Sequence, residues 1–336
     1  MDPVLQIPFE DAFRFDPSPT FAELREGRPV ARVRTLAGAE VWLVTRYEDV
    51  KLVLADPRFS LAKPMPNSLT TTDPPEHTRL RRLVVPTFAH RKIERTRPWV
   101  AELSAQLAED VARAGDGADI RQLVALPLPI QVICQLLGVP YEDREQFREW
   151  TELGYSMKMA EKDLVEDAMT NLTAYIEELV SRKLADTARP AEDLLDELVR
   201  AREAGDRLSQ EELIAFGVNL LVAGHETSAN QISSCVATLL RWPENWARLV
   251  EEPELIPSAI EELLRFNRFS EVGQLRVALE DVELHGVQIK AGEGVMAALN
   301  SANRDPRVYD APDELRIDRE DNKHLSFGFG PHFCLG

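Results

Sequence analysis

Cysteine is scarce in this chain. Cys134, Cys235 and Cys334 are the only three among 336 residues, and their spacing forms no disulfide framework, which points to a reducing cytoplasm. No C-x-x-C or H-x-x-x-H pair accompanies them, which argues against a four-ligand zinc site. Positive charge is short as well. The net charge of −18 argues strongly against a nucleic-acid partner, whose phosphates need a basic face. Long hydrophobic runs are missing: the stretch from Leu123 to Val139 is broken by Pro127, Pro129, Gln131 and Gln135 and cannot span a bilayer. Met1-Asp2-Pro3 shows neither the basic nor the apolar part of a signal peptide, so a cytoplasmic protein without membrane contact is expected. There is no internal repeat, low-complexity tract or Gly/Ser linker.

What is present suffices for a large core, since 44% of the residues are apolar. Val30-Ala31-Arg32-Val33-Arg34 and Val41-Trp42-Leu43-Val44 flank Ala37-Gly38-Ala39, a hairpin pattern. From Tyr47 to about Arg268 the apolar residues recur at helical spacing, as in Val50 and Leu54 or Leu103, Leu107 and Val111. Alternation returns from Asp281 to Ile289 around Gly286. β-rich parts at about 28–46 and 272–300 around a helical body at about 47–268 predict one domain over 1–336, mostly α with small β-sheets.

One helix stands out, from Ser209 to Arg241. Ser209 and Glu212 make a capping box, Pro243 stops the run, and at 1.5 Å per residue it would be about 48 Å long. Its interior holds Ala223-Gly224-His225-Glu226-Thr227-Ser228. Gly in a helix interior costs about 1 kcal/mol relative to Ala. The Thr227 hydroxyl can turn back onto the Ala223 carbonyl and bend the helix. A widened, kinked turn is the expectation, with an alcohol and an acid side by side. Farther on, Glu262 and Arg265 follow Pro257-Ser258 and share a helix face at i and i+3. Glu261 and Arg265 would serve an ordinary surface pair equally well.

The last ten residues, Phe327-Gly328-Phe329-Gly330-Pro331-His332-Phe333-Cys334-Leu335-Gly336, carry the most information. Glycines allow positive φ or the close approach of a flat ligand, and a thiolate in such a loop suits a transition metal. A free cysteine is ordinarily a small buried hydrophobe. Here Phe327, Gly328, Gly330, His332, Cys334 and Gly336 agree at once with the cysteine loop of the cytochrome P-450 family, which the segment resembles. These are the haem-thiolate monooxygenases.

That resemblance covers nearly the whole chain and implies the cytochrome P-450 fold as a single haem-binding domain. Cys334 would be the axial ligand of the haem iron, with Phe327 over the sulfur side, and Gly336 would complete the cysteine loop (327–336). Asp73-Pro74-Pro75-Glu76-His77-Thr78-Arg79-Leu80-Arg81 is similar to the family's propionate segment, so His77 and Arg81 would address one haem carboxylate. Arg276 and His332 match the remaining contacts. The 223–228 hexapeptide is similar to the oxygen-binding groove: Thr227 would hold dioxygen and its waters, Glu226 would pass protons, and Ala223 and Gly224 would leave room. Glu262 and Arg265 look like the family's E-x-x-R lock, completed by Arg319, with Arg316 in reserve.

The implied cofactor is haem b, and the implied reaction inserts one oxygen atom from O2 into an apolar small molecule of bacterial secondary metabolism. Electrons would come from NAD(P)H through a ferredoxin and its reductase to a monomeric enzyme. Met157, Met159 and the stretch from Lys63 to Thr72 would overhang the substrate. Arg79, Arg81, Arg82, Arg91, Lys92, Arg95 and Arg97 against the single acid Glu94 form a cationic island, either a ferredoxin dock or a solvated helical face. The family's helix after the cysteine loop is absent from the sequence, so weak haem binding or a protonated sulfur is expected. The alternative is a haem- or ligand-binding protein without turnover.

Overall fold

The computed structural model describes residues 4–10, 16–61, 69–143, 145–147, 149–150, 162–185, 190–203, 208–268 and 273–336. Met157, Met159 and Lys63 to Ser68 lie outside them. In chain order the helices are α1 (Thr20–Gly27), α2 (Tyr47–Ala55), α3 (Glu76–Val84), α4 (His90–Ile93), α5 (Arg97–Ala114) and α6 (Pro127–Leu137). They continue with α7 (Lys162–Ala185), α8 (Leu194–Glu203), α9 (Gln210–Arg241), α10 (Pro243–Glu251), α11 (Ile256–Phe266) and α12 (Leu299–Ala302). The strands are β1 (Leu5–Gln6), β2 (Val30–Arg34), β3 (Glu40–Val44), β4 (Phe59–Leu61), β5 (Gln274–Ala278), β6 (Val282–Leu284), β7 (Val287–Ile289) and β8 (Gly294–Ala297). This is the mostly helical architecture with small sheets that the periodicity predicts.

Two compact units share the chain: residues 1–63 with 234–334, and residues 64–233 with 335–336. The first contains both sheets. Six strands run in the order β1-β2-β3-β8-β5-β4, and β6 pairs with β7. The expected hairpin is β2–β3, antiparallel with Val33 opposite Val41 and Ala31 opposite Leu43. β6 and β7 are joined by His285 and Gly286, both at positive φ (50° and 77°), the geometry a tight two-residue turn requires. Val33, Leu43, Val44, Ile289 and Val295 are fully buried against the sheet faces.

β1 and β4 depart from the sequence reading, which placed 59–61 in the helical body. They are two and three residues long. Such strands arise from pairing at a sheet edge, parallel to β2 and antiparallel to β5, rather than from local pattern. Pro243, read as a stop signal, opens α10 at its first turn, where its missing N–H costs nothing.

The second unit is all helical among the described residues. Its core joins Leu80, Ile130, Leu137, Phe147, Leu172, Ile176, Leu195, Leu198, Leu213 and Leu221. The capping box forms as expected: Ser209 N–H donates to Glu212 Oε2 at 2.7 Å and Glu212 N–H to Ser209 Oγ at 3.1 Å. At the end of α6, Gly138 is left-handed (φ 69°), and a Cβ there would lie 2.0 Å from Asp193 Oδ2. Only glycine fits that corner. Asp193 in turn meets the buried Lys183, which also donates to Asp196 at 3.1 Å. No helix among the described residues is long and apolar enough to cross a membrane.

Candidate functional site

The three cysteines differ sharply. Cys134 is buried, and burial pushes the Cys235 thiol up to about 11. Cys334 is exposed. Its backbone N–H donates to the Phe327 carbonyl at 2.8 Å, closing a loop in which Gly328 and Gly330 take positive φ (74° and 75°). At Gly330 a Cβ would meet Ala55 Cα at 2.9 Å and Leu54 O at 3.0 Å, so the loop lies hard on the end of α2. Phe327, Phe329 and Phe333 of the same loop are 37%, 37% and 46% exposed, an apolar surface beside an exposed cysteine; the Phe327 and Phe333 rings pack edge to face, 6.2 Å between centroids.

The segment leading into this loop is stitched to α11. Glu262 and Arg265 both have fully buried side chains. Arg265 Nε and Nη2 donate to the two Glu262 oxygens, each at 2.7 Å. Arg319 Nε donates to Glu262 Oε2 at 3.0 Å, and Asn322 Nδ2 to the same oxygen at 3.1 Å. Arg316 contributes only its backbone N–H (2.9 Å), while its guanidinium turns to Asp310. Glu261, the surface alternative, instead meets His324 Nε2 at 2.9 Å. A carboxylate taken fully out of water is tolerable only when its lone pairs are filled, and here two guanidinium groups, an amide and a backbone N–H fill them.

Several residues of this frame were not singled out in the sequence. Asn303 accepts from Leu325 N–H (2.7 Å) and donates to Ser326 Oγ (2.9 Å), and Ser326 Oγ donates to Leu264 O (2.6 Å). His324 Nδ1 accepts from Ser326 N–H at 3.2 Å, which leaves the proton on Nε2 for Glu261. Burial drives the His324 pKa down and keeps the ring neutral. The only available signal was a run without regular structure whose backbone groups need polar partners.

Arg276 sits on β5, buried, with Nη1 bonded to Leu275 O (2.9 Å) and Nη2 to Gln274 Oε1 (3.3 Å). His332 is half-buried in the one-turn 3₁₀ segment Gly330–His332. The remaining candidates belong to the second unit. On α3, His77 is buried; burial first and the neighbouring Arg81 second lower its pKa, which favours the neutral ring. Gly336 lies near the Phe88 ring.

On α9, Thr227 Oγ1 donates to Ala223 O at 2.5 Å, as the sequence suggested. The expected widening does not follow: α9 is α-helical from Gln210 to Arg241, so the hydroxyl bonds the carbonyl without breaking the ladder. Ala223 is exposed in mid-helix, and the nearest atoms to a Cβ on Gly224 would be those of Ile133, at an ordinary 3.4 Å. Glu226 Oε1 meets Arg121 Nη2 at 3.2 Å.

The cationic island is smaller than the local sequence implied. Arg79 pairs with Glu76 and Glu212, Lys92 with Glu197 at 2.6 Å, and Arg97 with Glu94 at 2.7 Å. Glu197 and Glu212 come from helices far along the chain, beyond any local count of charges.

Each unit offers residues of the kind a haem needs. In the first, the exposed Cys334 thiol, in a loop that also carries three exposed phenylalanines, suits soft metal ligation beside a flat apolar face, and Arg276 and His332 are of types that suit carboxylates. In the second, Arg81 and His77 are of types that suit carboxylates.

The comparisons with known proteins agree. The Cytochrome P-450 family model matches residues 12–336. Nocardicin C N-oxygenase of Nocardia uniformis subsp. tsuyamanensis is 43% identical, over 98% of this chain and 85% of that protein. The mycinamicin IV hydroxylase/epoxidase of Micromonospora griseorubida is 41% identical with the same coverages. The crystal structure of the LnmA cytochrome P-450 hydroxylase, from the leinamycin biosynthetic pathway of Streptomyces atroolivaceus, superposes with a TM-score of 0.91 at 49% identity. It covers 99% of this chain and 87% of that one. The chain belongs to the cytochrome P-450 family. It is an oxidoreductase of the monooxygenase class, with relatives in bacterial secondary metabolism, and haem is the cofactor of its family. Binding without turnover is not favoured, because these relatives are named for oxygenation.

Proposed function

We propose that residues 1–336 act as one haem-binding domain in which Cys334 is the axial iron ligand. The reaction is insertion of one atom of O2 into an apolar intermediate of a natural-product pathway, the other atom leaving as water. The electrons come from NAD(P)H through a ferredoxin and its reductase, and the haem is haem b. The observation that carries this reading is the exposed Cys334 thiol, in a loop whose entry is pinned to the buried Glu262 hub. Three free cysteines suit a monomer working in a reducing cytoplasm.

When bound, the cofactor supplies the iron and the electron storage for dioxygen activation, and a thiolate ligand favours O–O cleavage. The chain's own residues bind and orient. Arg81 and Arg276 would neutralise the haem carboxylates, the neutral His77 would add an N–H donor, and His332 would complete the contacts. Phe327 shields the sulfur from water. The Glu262–Arg265–Arg319 hub does not react; it holds the segment that delivers Cys334. Thr227, its proton committed to Ala223 O, keeps lone pairs to accept from a water, and Glu226 beside it carries protons from solvent. Arg91 and Arg95 are exposed and remain the cations best suited to an acidic ferredoxin.

Isotopically labelled dioxygen tests this with styrene and a panel of other apolar probes, driven by NAD(P)H and a surrogate ferredoxin pair. The expected product carries one labelled oxygen, and Thr227→Ala diverts electrons to peroxide, lowering product per NAD(P)H about tenfold. Oxygen drawn from water, or no product from any probe, would contradict it.

A further inference from the structure

Outside the cysteine loop, the second unit holds a carboxylate in an unusual setting. Arg121 opens a π-helical turn, Arg121–Ala125, closed by Leu126 N–H donating to the Arg121 carbonyl at 2.9 Å. Pro127 follows and has no N–H to continue the ladder, so the wide turn is fixed by sequence. From this anchored position the guanidinium reaches α9. Nη2 donates to Glu226 Oε1 (3.2 Å), Nη1 to Asn230 Oδ1 (2.9 Å), and Asn230 Nδ2 donates to the same Glu226 Oε1 (3.2 Å). The three side chains close a ring of hydrogen bonds around one oxygen.

The other oxygen is treated differently. Glu226 Oε2 is buried and has no hydrogen-bond partner among the described residues. The Arg121 side chain is 40% exposed and that of Glu226 17%. Glu226 therefore spans from solvent to interior, one oxygen held at the surface and one turned in. A buried carboxylate oxygen without a donor is costly. A half-exposed ion pair does not by itself offset that cost. Stability alone does not explain the arrangement, whereas an oxygen kept open for a proton does.

We propose that Arg121 and Asn230 are positioning residues for proton delivery: by holding Oε1 they aim Oε2 inward and make it the oxygen that carries the proton. The role rests on Glu226 being the proton carrier. Oε2 takes one proton from solvent hydronium to give the carboxylic acid, passes it to the oxygen under reduction, and returns to carboxylate. No electrons move through the side chain.

The test uses the haem-loaded protein with a surrogate ferredoxin pair and no organic substrate. Reduction of O2 to water consumes two NAD(P)H, and reduction to peroxide consumes one, so the stoichiometry reports proton delivery. Arg121→Gln should lower the share of O2 that ends as water about tenfold, as loss of an oriented proton carrier does. It should also raise the solvent deuterium isotope effect, and Arg121→Lys should recover most of both. The double variant with Glu226→Gln should be no worse than Glu226→Gln alone. A crystal structure of Arg121→Gln should show Glu226 Oε1 gone from its outward position. Parent-like stoichiometry and isotope effect in Arg121→Gln, an additive loss in the double variant, or an unmoved Glu226 would each overturn the proposal. If Glu226→Gln itself behaves like the parent, the Glu226 assignment fails; if it is impaired while Arg121→Gln is not, only the positioning role fails.

Discussion

Two glutamates on two helices, Glu262 and Glu226, each meet an arginine, and the pairs could hardly differ more. Glu262 has a fully buried side chain and every lone pair direction answered by Arg265, Arg319, Asn322 or the Arg316 N–H. Glu226 has one oxygen shared between Arg121 and Asn230 at the surface and the other buried with no partner among the described residues. A saturated buried carboxylate holds geometry, because moving it would strand charges in low dielectric. A half-answered one can exchange a proton, because it has somewhere to put it. The same pair of residue types thus serves as a pin in one place and, on our proposal, as a relay in the other.

Truncation breaks the comparison most directly. Glu262→Ala strands two buried guanidinium groups and should cost about 3–5 kcal/mol of stability, read as a loss of denaturation midpoint, with haem no longer retained. Glu226→Ala should cost less than about 1 kcal/mol. Within the hub, Arg319→Ala should cost about 2 kcal/mol, because its guanidinium is buried on Glu262; Arg316→Ala should cost less than about 0.5 kcal/mol, because that residue donates through its backbone. Equal losses in the two arginine variants would show that the hub is not organised as described.

The smallest expected effect is a pH dependence. His77 and His324 both have pKa values lowered by burial. The unfolded chain therefore binds more protons than the folded one just below the ordinary histidine value, and stability falls with falling pH there. Chemical denaturation should show stability flat above about pH 7 and declining from about pH 6.5 downward, in addition to any carboxylate titration at lower pH. His324→Gln should shrink that decline. A slope of the opposite sign would mean that these rings gain charge on folding.

Much of this was legible in residues that act locally. The cysteine loop is written in glycines whose positive φ is observed, and the capping box in Ser209 and Glu212. The E-x-x-R spacing puts Glu262 and Arg265 on one face whatever lies around them. The choice between Arg319 and Arg316 was not local: it depends on which side chain the segment after α12 turns inward. Nor could a window of sequence show that Glu197 and Glu212 answer Lys92 and Arg79, or that Arg121 reaches Glu226 across 105 positions. The missed strands β1 and β4 have the same cause, since two or three residues become a strand only when a neighbour presents an edge.

The claim on which the rest depends is that the exposed sulfur of Cys334 binds iron. Its most direct test is the visible spectrum of the reduced, carbon-monoxide-treated, haem-reconstituted protein beside its Cys334→Ser variant. The parent should show the red-shifted Soret band of a thiolate-ligated haem, and the variant should lose it. An identical band in both proteins would contradict the account.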